Sequence, residues 1–397
     1  MKRALIIGAG IGGLTAAIAL AQRGWAVHIF ERSAALGDVG AGLQQSPNAM
    51  AVHQALGTAE AIKAVACEPE AAILRDYKTG KPLMTSPMVG IYEARYGHKY
   101  LHIHRADLIA ILAKRAETLG VTVHFDHEVE EAQQIGEILN IIAGQRNYTG
   151  DVLIGADGIK SVLRPMISEN SQPRFSRQVA WRGVVPTHQL PDDFIPFAAN
   201  NWLGPRRHFV SYYIRGGTLI NFVAVEERSD WASEDWNVPA DKVELAQAFS
   251  GWDERVTRLI AACETPYLWG LFDHAPLKKW SQGAMTLLGD AAHPMLPFMA
   301  QGASMAIEDG WVLAACLAER PEAIPEALMR YEARRKPRTT LLQNISRRNG
   351  ALYHMRAGPS RFWRNTKFKI GSQFPPAVFA TLDKIYKVDV TRNDPSA

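Results

Sequence analysis

Four glycines in six residues, Gly8, Gly10, Gly12 and Gly13, constrain this chain more than any other feature because of what flanks them. Arg3–Ile7 reads Arg-Ala-Leu-Ile-Ile, an apolar run suited to a strand buried on both faces. A helical pattern follows the glycines as far as Arg23, and Gly24 closes it. In such a unit Gly8 permits the tight turn, Gly10 lets the backbone approach a pyrophosphate, and Gly13 lets helix and strand pack closely. The helix N-terminus is left aimed at negative charge. A second apolar strand over 27–30 ends in Glu31, where a carboxylate can accept from two ribose hydroxyls and disfavours a 2′-phosphate. Arg32 beside it is counted with the same cofactor-side residues. Strand, turn, helix, strand and acid stand in the order that a dinucleotide fold requires. The fingerprint alone does not separate NAD from FAD. The absence of a second one argues against separate Rossmann domains for two dinucleotides.

The 397 residues leave room for two domains, and 47% hydrophobic with 21% charged residues is the balance of a folded globular chain. Cys67, Cys263 and Cys316 form no Cys-x-x-Cys pair, so no disulfide framework, zinc or other metal site is expected, and a disulfide reductase is excluded. A reducing cytoplasm is the expected setting. No apolar run reaches the roughly 18 residues of a membrane span, so the chain is expected to be neither secreted nor transmembrane. The net charge of +4 is uneven: residues 331–397 hold 14 Lys or Arg against the acids Glu332, Asp383, Asp389 and Asp394. Arg361, Phe362, Trp363, Arg364, Lys367, Phe368 and Lys369 have the composition of a contact for anionic lipid or nucleic acid. Because the positive charges are interspersed, a solvated helical cap is the favoured reading, with no nucleic-acid partner and no membrane contact.

Two further motifs narrow the choice. Residues 151–156 form another apolar strand, followed by Asp157-Gly158-Ile159-Lys160-Ser161-Val162-Leu163-Arg164. Later comes Thr286-Leu287-Leu288-Gly289-Asp290-Ala291-Ala292-His293-Pro294, running on through Pro297 to Gln301-Gly302-Ala303. With the glycine fingerprint, these resemble the motifs of the aromatic-ring hydroxylases, the single-component class A flavoprotein monooxygenases. Arg105, in His104-Arg105-Ala106-Asp107-Leu108, is similar to that family's cofactor-side arginine. The resemblance spans residues 1 to about 345 and is strongest to salicylate hydroxylases, with 3-hydroxybenzoate 6-hydroxylases and 6-hydroxynicotinate 3-monooxygenases nearby. The stretch from Gly40 to Asn48 follows the same subgroup. Gln44 stands where one subgroup has a catalytic histidine, which disfavours the hydroxynicotinate reading.

The resemblance implies an α/β chain: a Rossmann-like FAD-binding domain of the p-hydroxybenzoate hydroxylase type, an inserted β-sheet substrate domain and a C-terminal helical cap. The FAD domain is expected to be discontinuous, over 1–75, 98–178 and 272–330. The substrate domain takes 76–97 and 179–271, and a basic helical segment takes 331–397. FAD is expected to bind without a covalent link, with Asp290 on a ribitol hydroxyl, Asp157 near the flavin, and Pro297, Gly302 and Ala303 along its ring. NADH or NADPH and O2 are the implied co-substrates, and a small phenolic acid is hydroxylated through a flavin C4a-hydroperoxide. The family resemblance admits a homodimer. Alternatives are a same-fold monooxygenase acting on a lipid quinone or polyene at a membrane, and a non-catalytic FAD-binding redox sensor.

Substrate residues are sought on the strand over 208–215, expected to form a hairpin with 218–225 through the two-residue turn Gly216-Gly217. Alternation puts His208, Val210, Tyr212 and Ile214 on one face. His208 and Tyr212 then lie about 13 Å apart, at ~3.3 Å per residue, and would flank a ring. The resemblance gives His208, Tyr212 and Gln301 substrate roles. The competing readings are a histidine satisfied within the sheet, a packed tyrosine and a loop hydrogen bond. Arg182, Arg206, Arg207 and Arg215 are candidates to pair with a substrate carboxylate, and three of the four are expected at the solvated surface. Glu308-Asp309 reads as helix-stabilising, and His293 as shaping a loop.

Overall fold

In the computed structural model, which describes residues 1–37, 41–136, 138–168, 174–229, 238–373 and 375–392, strand Arg3–Ile7 lies inside a six-stranded sheet. Gly40 and Asp394 fall outside the described residues. The apolar run from Ala4 to Ile7 is buried, as a strand covered on both faces must be. It pairs in parallel with Ala26–Phe30 on one side and Val152–Gly155 on the other. Thr122–His124 and Met285–Leu287 extend the parallel order outwards, and Ser281–Gln282 adds an antiparallel edge. Helix Ile11–Ala21 packs against helix Gly302–Glu319 so closely that a Cβ on Gly310 would lie 2.8 Å from the Ala16 nitrogen. This is the mixed α/β layering expected of a dinucleotide domain.

The second large sheet has eight strands, in the order Val238–Pro239, Tyr267–Asp273, Arg174–Pro186, Leu219–Glu227, Arg207–Ile214, Ala199–Gly204, Ala71–Asp76 and Pro82–Pro87. All pairs are antiparallel except Ala199–Gly204 with Ala71–Asp76. A boundary at residue 75 would therefore cut a strand of this sheet. One face carries Trp181, Trp202, Phe209 and Phe222 into a core closed by Phe249, Val256 and Leu259, from the helices over 242–262 and the turn between them. The other face looks towards the dinucleotide domain.

The hairpin differs from the two-residue turn expected. Ile214 pairs with Leu219, which leaves Arg215, Gly216, Gly217 and Thr218 in the connection. The first three have φ of 50°, 61° and 89°, and Arg215 makes an ion pair with Asp107 at 2.8 Å.

The C-terminal region is helical, over Ile324–Tyr353, Pro359–Gln373 and Pro375–Tyr386. Its charges are less solvated than expected. Arg335 is 1% exposed and Arg364 3%. Arg330 and Arg334 pair with Glu319, and Arg347 pairs with Asp273. The basic segment is thus partly neutralised by acids of the preceding chain. Among the described residues, no helix is long and apolar enough to cross a membrane.

Candidate active site

The glycine turn sits where the strand ends of the six-stranded sheet converge. At Gly8, with φ of 99°, a Cβ would stand 2.6 Å from the Ala156 oxygen. At Gly13 it would stand 2.0 Å from the Gly8 oxygen, so any side chain forces the helix off the strand. Among the described residues, nothing lies within 4 Å of a Cβ on Gly10, which opens into a cavity of about 1660 Å³. Glu31 accepts from the Ala9 amide at 2.9 Å and the Ser33 amide at 3.0 Å, tying the second strand to the glycine turn. The adjacent cavity wall is Arg32.

Arg105, Asp157 and Asp290 line the same cavity. Asp157 accepts from the Val162 amide at 2.8 Å through Oδ2, while Oδ1 is buried without a hydrogen-bond partner among the described residues. Burial raises its pKa against the pull of hydrogen bonds from Ser161 and Val162. Burial also raises Asp290, offset in part by His293, Arg105 and Arg164. Arg164 spans the two motifs, donating to Ile159 and Ala291 oxygens at 2.7 Å each and to the Asp290 oxygen at 3.0 Å. Its structural role was not legible from its place at the end of the second motif. An open glycine turn, a buried carboxylate oxygen lacking a donor and a second carboxylate beside Arg105 suit a dinucleotide rich in hydroxyls. The volume exceeds the roughly 300–1,000 Å³ of an ordinary small-ligand pocket. FAD with a ring substrate fits that description.

The far wall is the open face of the eight-stranded sheet. Register fixes its pattern: His208 pairs through Val225 with Ala180, Val210 through Val223 with Arg182, and Tyr212 through Asn221 with Val184. His208, Val210, Tyr212 and Arg182 all line the cavity. Arg182 stands two strands from Val210, about 10 Å across the sheet, between the rows of His208 and Tyr212. Of the four candidate arginines, Arg206 pairs with Glu227, Arg207 with Glu226 and Arg215 with Asp107. Arg182 has no acidic partner among the described residues. Its guanidinium lies 4.1 Å over the Trp269 ring, its Nε is buried without a hydrogen-bond partner among those residues, and burial lowers its pKa to about 10.

Tyr212 is 4% exposed, its ring 4.3 Å from that of His102, and burial pushes its phenol pKa up. His208 is 3% exposed, and its Nδ1 lies 2.7 Å from Nε2 of His354. Burial, reinforced by His354, lowers its pKa well below the usual value. His354 follows the long C-terminal helix, in a region where the sequence offered no recognisable pattern. Phe298 and Tyr353 pack on the His208 ring at 5.3 and 5.4 Å.

Pro297, Gly302 and Ala303 line the cavity, and Gln301 does not. Its amide donates to Ser46 at 3.0 Å and accepts from Asn48 at 3.3 Å, inside a buried network that continues to Glu308. Ser46 and Asn48 thus engage both ends of the Gln301 amide. Glu308 and Asp309 are fully buried, and their partners come from other segments rather than from their own helix. Arg335 reaches both at 2.6 Å, Arg338 reaches Glu308 at 2.7 Å, and His293 reaches Asp309 at 2.5 Å.

The FAD binding domain family model matches residues 1–345. The chain belongs to this family and is an FAD-dependent aromatic-ring monooxygenase, an oxidoreductase. It is 38% identical over 91% of its length to a 3-amino-4-hydroxybenzoate 2-monooxygenase of Streptomyces platensis, covering 91% of that protein. It is 34% identical to the 3-hydroxybenzoate 6-hydroxylase 1 of Aquipseudomonas alcaligenes, covering 96% of each. A salicylate hydroxylase substrate complex superposes with a TM-score of 0.82 at 27% identity, over 98% of this chain and 96% of that one.

Proposed function

We propose that this enzyme hydroxylates a small phenolic acid of the hydroxybenzoate class at the expense of NAD(P)H and O2. The observation that carries this reading is the continuity of one cavity from Gly10, Asp157 and Asp290 to the sheet face bearing His208, Arg182 and Tyr212. FAD held at the first end supplies electrons and activated oxygen to a ring held at the second. The three relatives named above are called after a hydroxylated benzoic acid, and the wall residues offer a complementary set. Arg182 binds the carboxylate, a charge-assisted contact made stronger by removal from water. His208 accepts the phenol proton through Nε2, the ring nitrogen that His354 does not engage, which makes the ring a better nucleophile. Tyr212 flanks the ring, and Phe298, Tyr353 and Leu352 exclude water, which keeps oxygen transfer coupled to the ring. Asp290, Asp157 and Arg105 hold the cofactor without a covalent bond. The three buried free cysteines suit a reducing cytoplasm.

The test is a screen of hydroxybenzoates, amino-hydroxybenzoates, hydroxynicotinates and anthranilate for stimulated NADH and NADPH oxidation, with products identified by mass. A hydroxybenzoate that gains one oxygen atom is the expected result. If no phenolic acid changes either the oxidation rate or the peroxide yield, the reading fails.

A further inference from the structure

We propose that the phenol proton accepted by His208 leaves the buried cavity through His354 to Glu227, a relay from the substrate face to solvent. It rests on the reading of His208 as the ring-activating base. His208 and His354 are each 3% exposed, with ring centroids 4.9 Å apart and 2.7 Å between Nδ1 of the first and Nε2 of the second. Nδ1 of His354 lies 3.6 Å from Oε1 of Glu227, whose side chain is 31% exposed. That is ion-pair distance, a few tenths of an ångström from a hydrogen bond. The backbone fixes the alignment: the Arg206 amide donates to the His354 oxygen at 3.0 Å, and the Glu227 amide to the Arg206 oxygen at 3.0 Å.

A buried base that takes a proton must pass it on or remain a buried cation beside the phenolate. Here each ring has one nitrogen on each side of the path. The phenol O–H breaks as a bond forms to Nε2 of His208. The proton on Nδ1 of His208 moves to Nε2 of His354, and the one on Nδ1 of His354 moves to Glu227. Both imidazoles end neutral, the phenolate stays in the cavity, and the carboxyl exchanges its proton with water. The resting state needs an acceptor for Nδ1–H of His354. Besides Glu227, Gln178 stands 3.4 Å from that nitrogen and carries a buried Oε1 without a partner among the described residues, which a half-turn of its amide would supply. Among the described residues, further groups border the path. Arg206 lies 3.0 Å from Glu227, Arg207 is held by Glu226 at 3.1 Å, and Tyr353 packs on His208. Burial keeps both histidines neutral at rest, while His354 and Arg206 keep Glu227 ionised against its partial burial.

The experiment uses the FAD-loaded oxidised enzyme and 3-hydroxybenzoate in weak buffer. Stopped flow follows phenolate absorbance together with proton release to an indicator dye, from pH 6 to 9. Wild type is expected to release one proton as phenolate forms. His354→Gln and Glu227→Gln should slow release about tenfold or more while the ligand Kd stays within about threefold. Arg206→Met, which breaks the same ion pair but keeps the acceptor, should release at the wild-type rate. Glu227 is at the surface, so its variant tests the relay even if His354→Gln does not fold. If His208→Gln abolishes phenolate formation while Glu227→Gln releases protons at the wild-type rate, His208 is the base and the relay is wrong. If His208→Gln still forms phenolate, the base assignment itself is wrong and the relay falls with it.

Discussion

Arg182 shows how one residue can decide which substrates a cavity admits. A buried guanidinium without an acidic neighbour is costly, and a bound carboxylate recovers that cost. Arg182→Met should raise KM for a hydroxybenzoate by about 10- to 150-fold, the equivalent of roughly 1.5–3 kcal/mol for a charged hydrogen bond. The matching hydroxybenzamide should be affected far less, and steady-state kinetics on the pair checks this. On the cofactor side, Asp290→Ala should weaken FAD by about 5- to 150-fold, the roughly 1–3 kcal/mol of a lost buried partner, read by fluorescence titration of the apoenzyme. The positions of His208, Val210 and Tyr212 were legible because side-chain alternation is a local rule. The partners of Gln301 were not: Ser46 and Asn48 stand more than 250 residues earlier, and no spacing within its own loop reveals them.

Among elements, the pair of helices Gly302–Glu319 and Ile324–Tyr353 carries the largest electrostatic stake. Four buried groups meet between them: Glu308, Asp309, Arg335 and, from the preceding loop, His293. Burial alone would raise both carboxyls, but the opposing cations win and hold them below their usual values. Burial likewise opposes the charge of Arg335, and the two carboxylates more than offset it. Arg335→Met removes the cation the two buried carboxylates share, leaving Glu308 to Arg338 and Asp309 to His293, and should cost about 3–5 kcal/mol in denaturant unfolding. Because the folded carboxyl pKa values are depressed, this stabilisation is complete above the unfolded values near pH 4 and is lost as pH falls through the folded ones. In sequence the acid pair is obvious and its partners are not. Helical spacing reports neighbours on one helix, whereas here the crossing of two helices supplies them.

Across the whole molecule, the strand–glycine–helix unit and the three motifs gave the dinucleotide fold, because each is a local signal written in order. The mixed pairing of the eight-stranded sheet and the burial of the C-terminal helices were hidden, since both depend on contacts between distant segments. Burial also sets the acid response. It lowers His53 and His102 to about 3 and His274 to about 4, and it lowers His208 and His354 as well. These groups stay neutral in the fold while the unfolded chain takes up protons below about pH 6.5. Their stabilisation is therefore lost as pH falls, by up to about 1.4 kcal/mol per histidine per pH unit. The raised Asp157 and Asp290 act in the opposite sense near pH 4. Calorimetric Tm should begin to drop below pH 6.5. The strand order has a different consequence, one of timing. Strand Arg3–Ile7 waits for a neighbour at 152–155, which in turn waits for one at 285–287, and the acids at 308 and 309 wait for Arg335. A ribosome must release most of this chain before its first strand is enclosed. A nascent chain halted near residue 300 should remain open to protease at its N-terminus, whereas the released full-length chain should resist it.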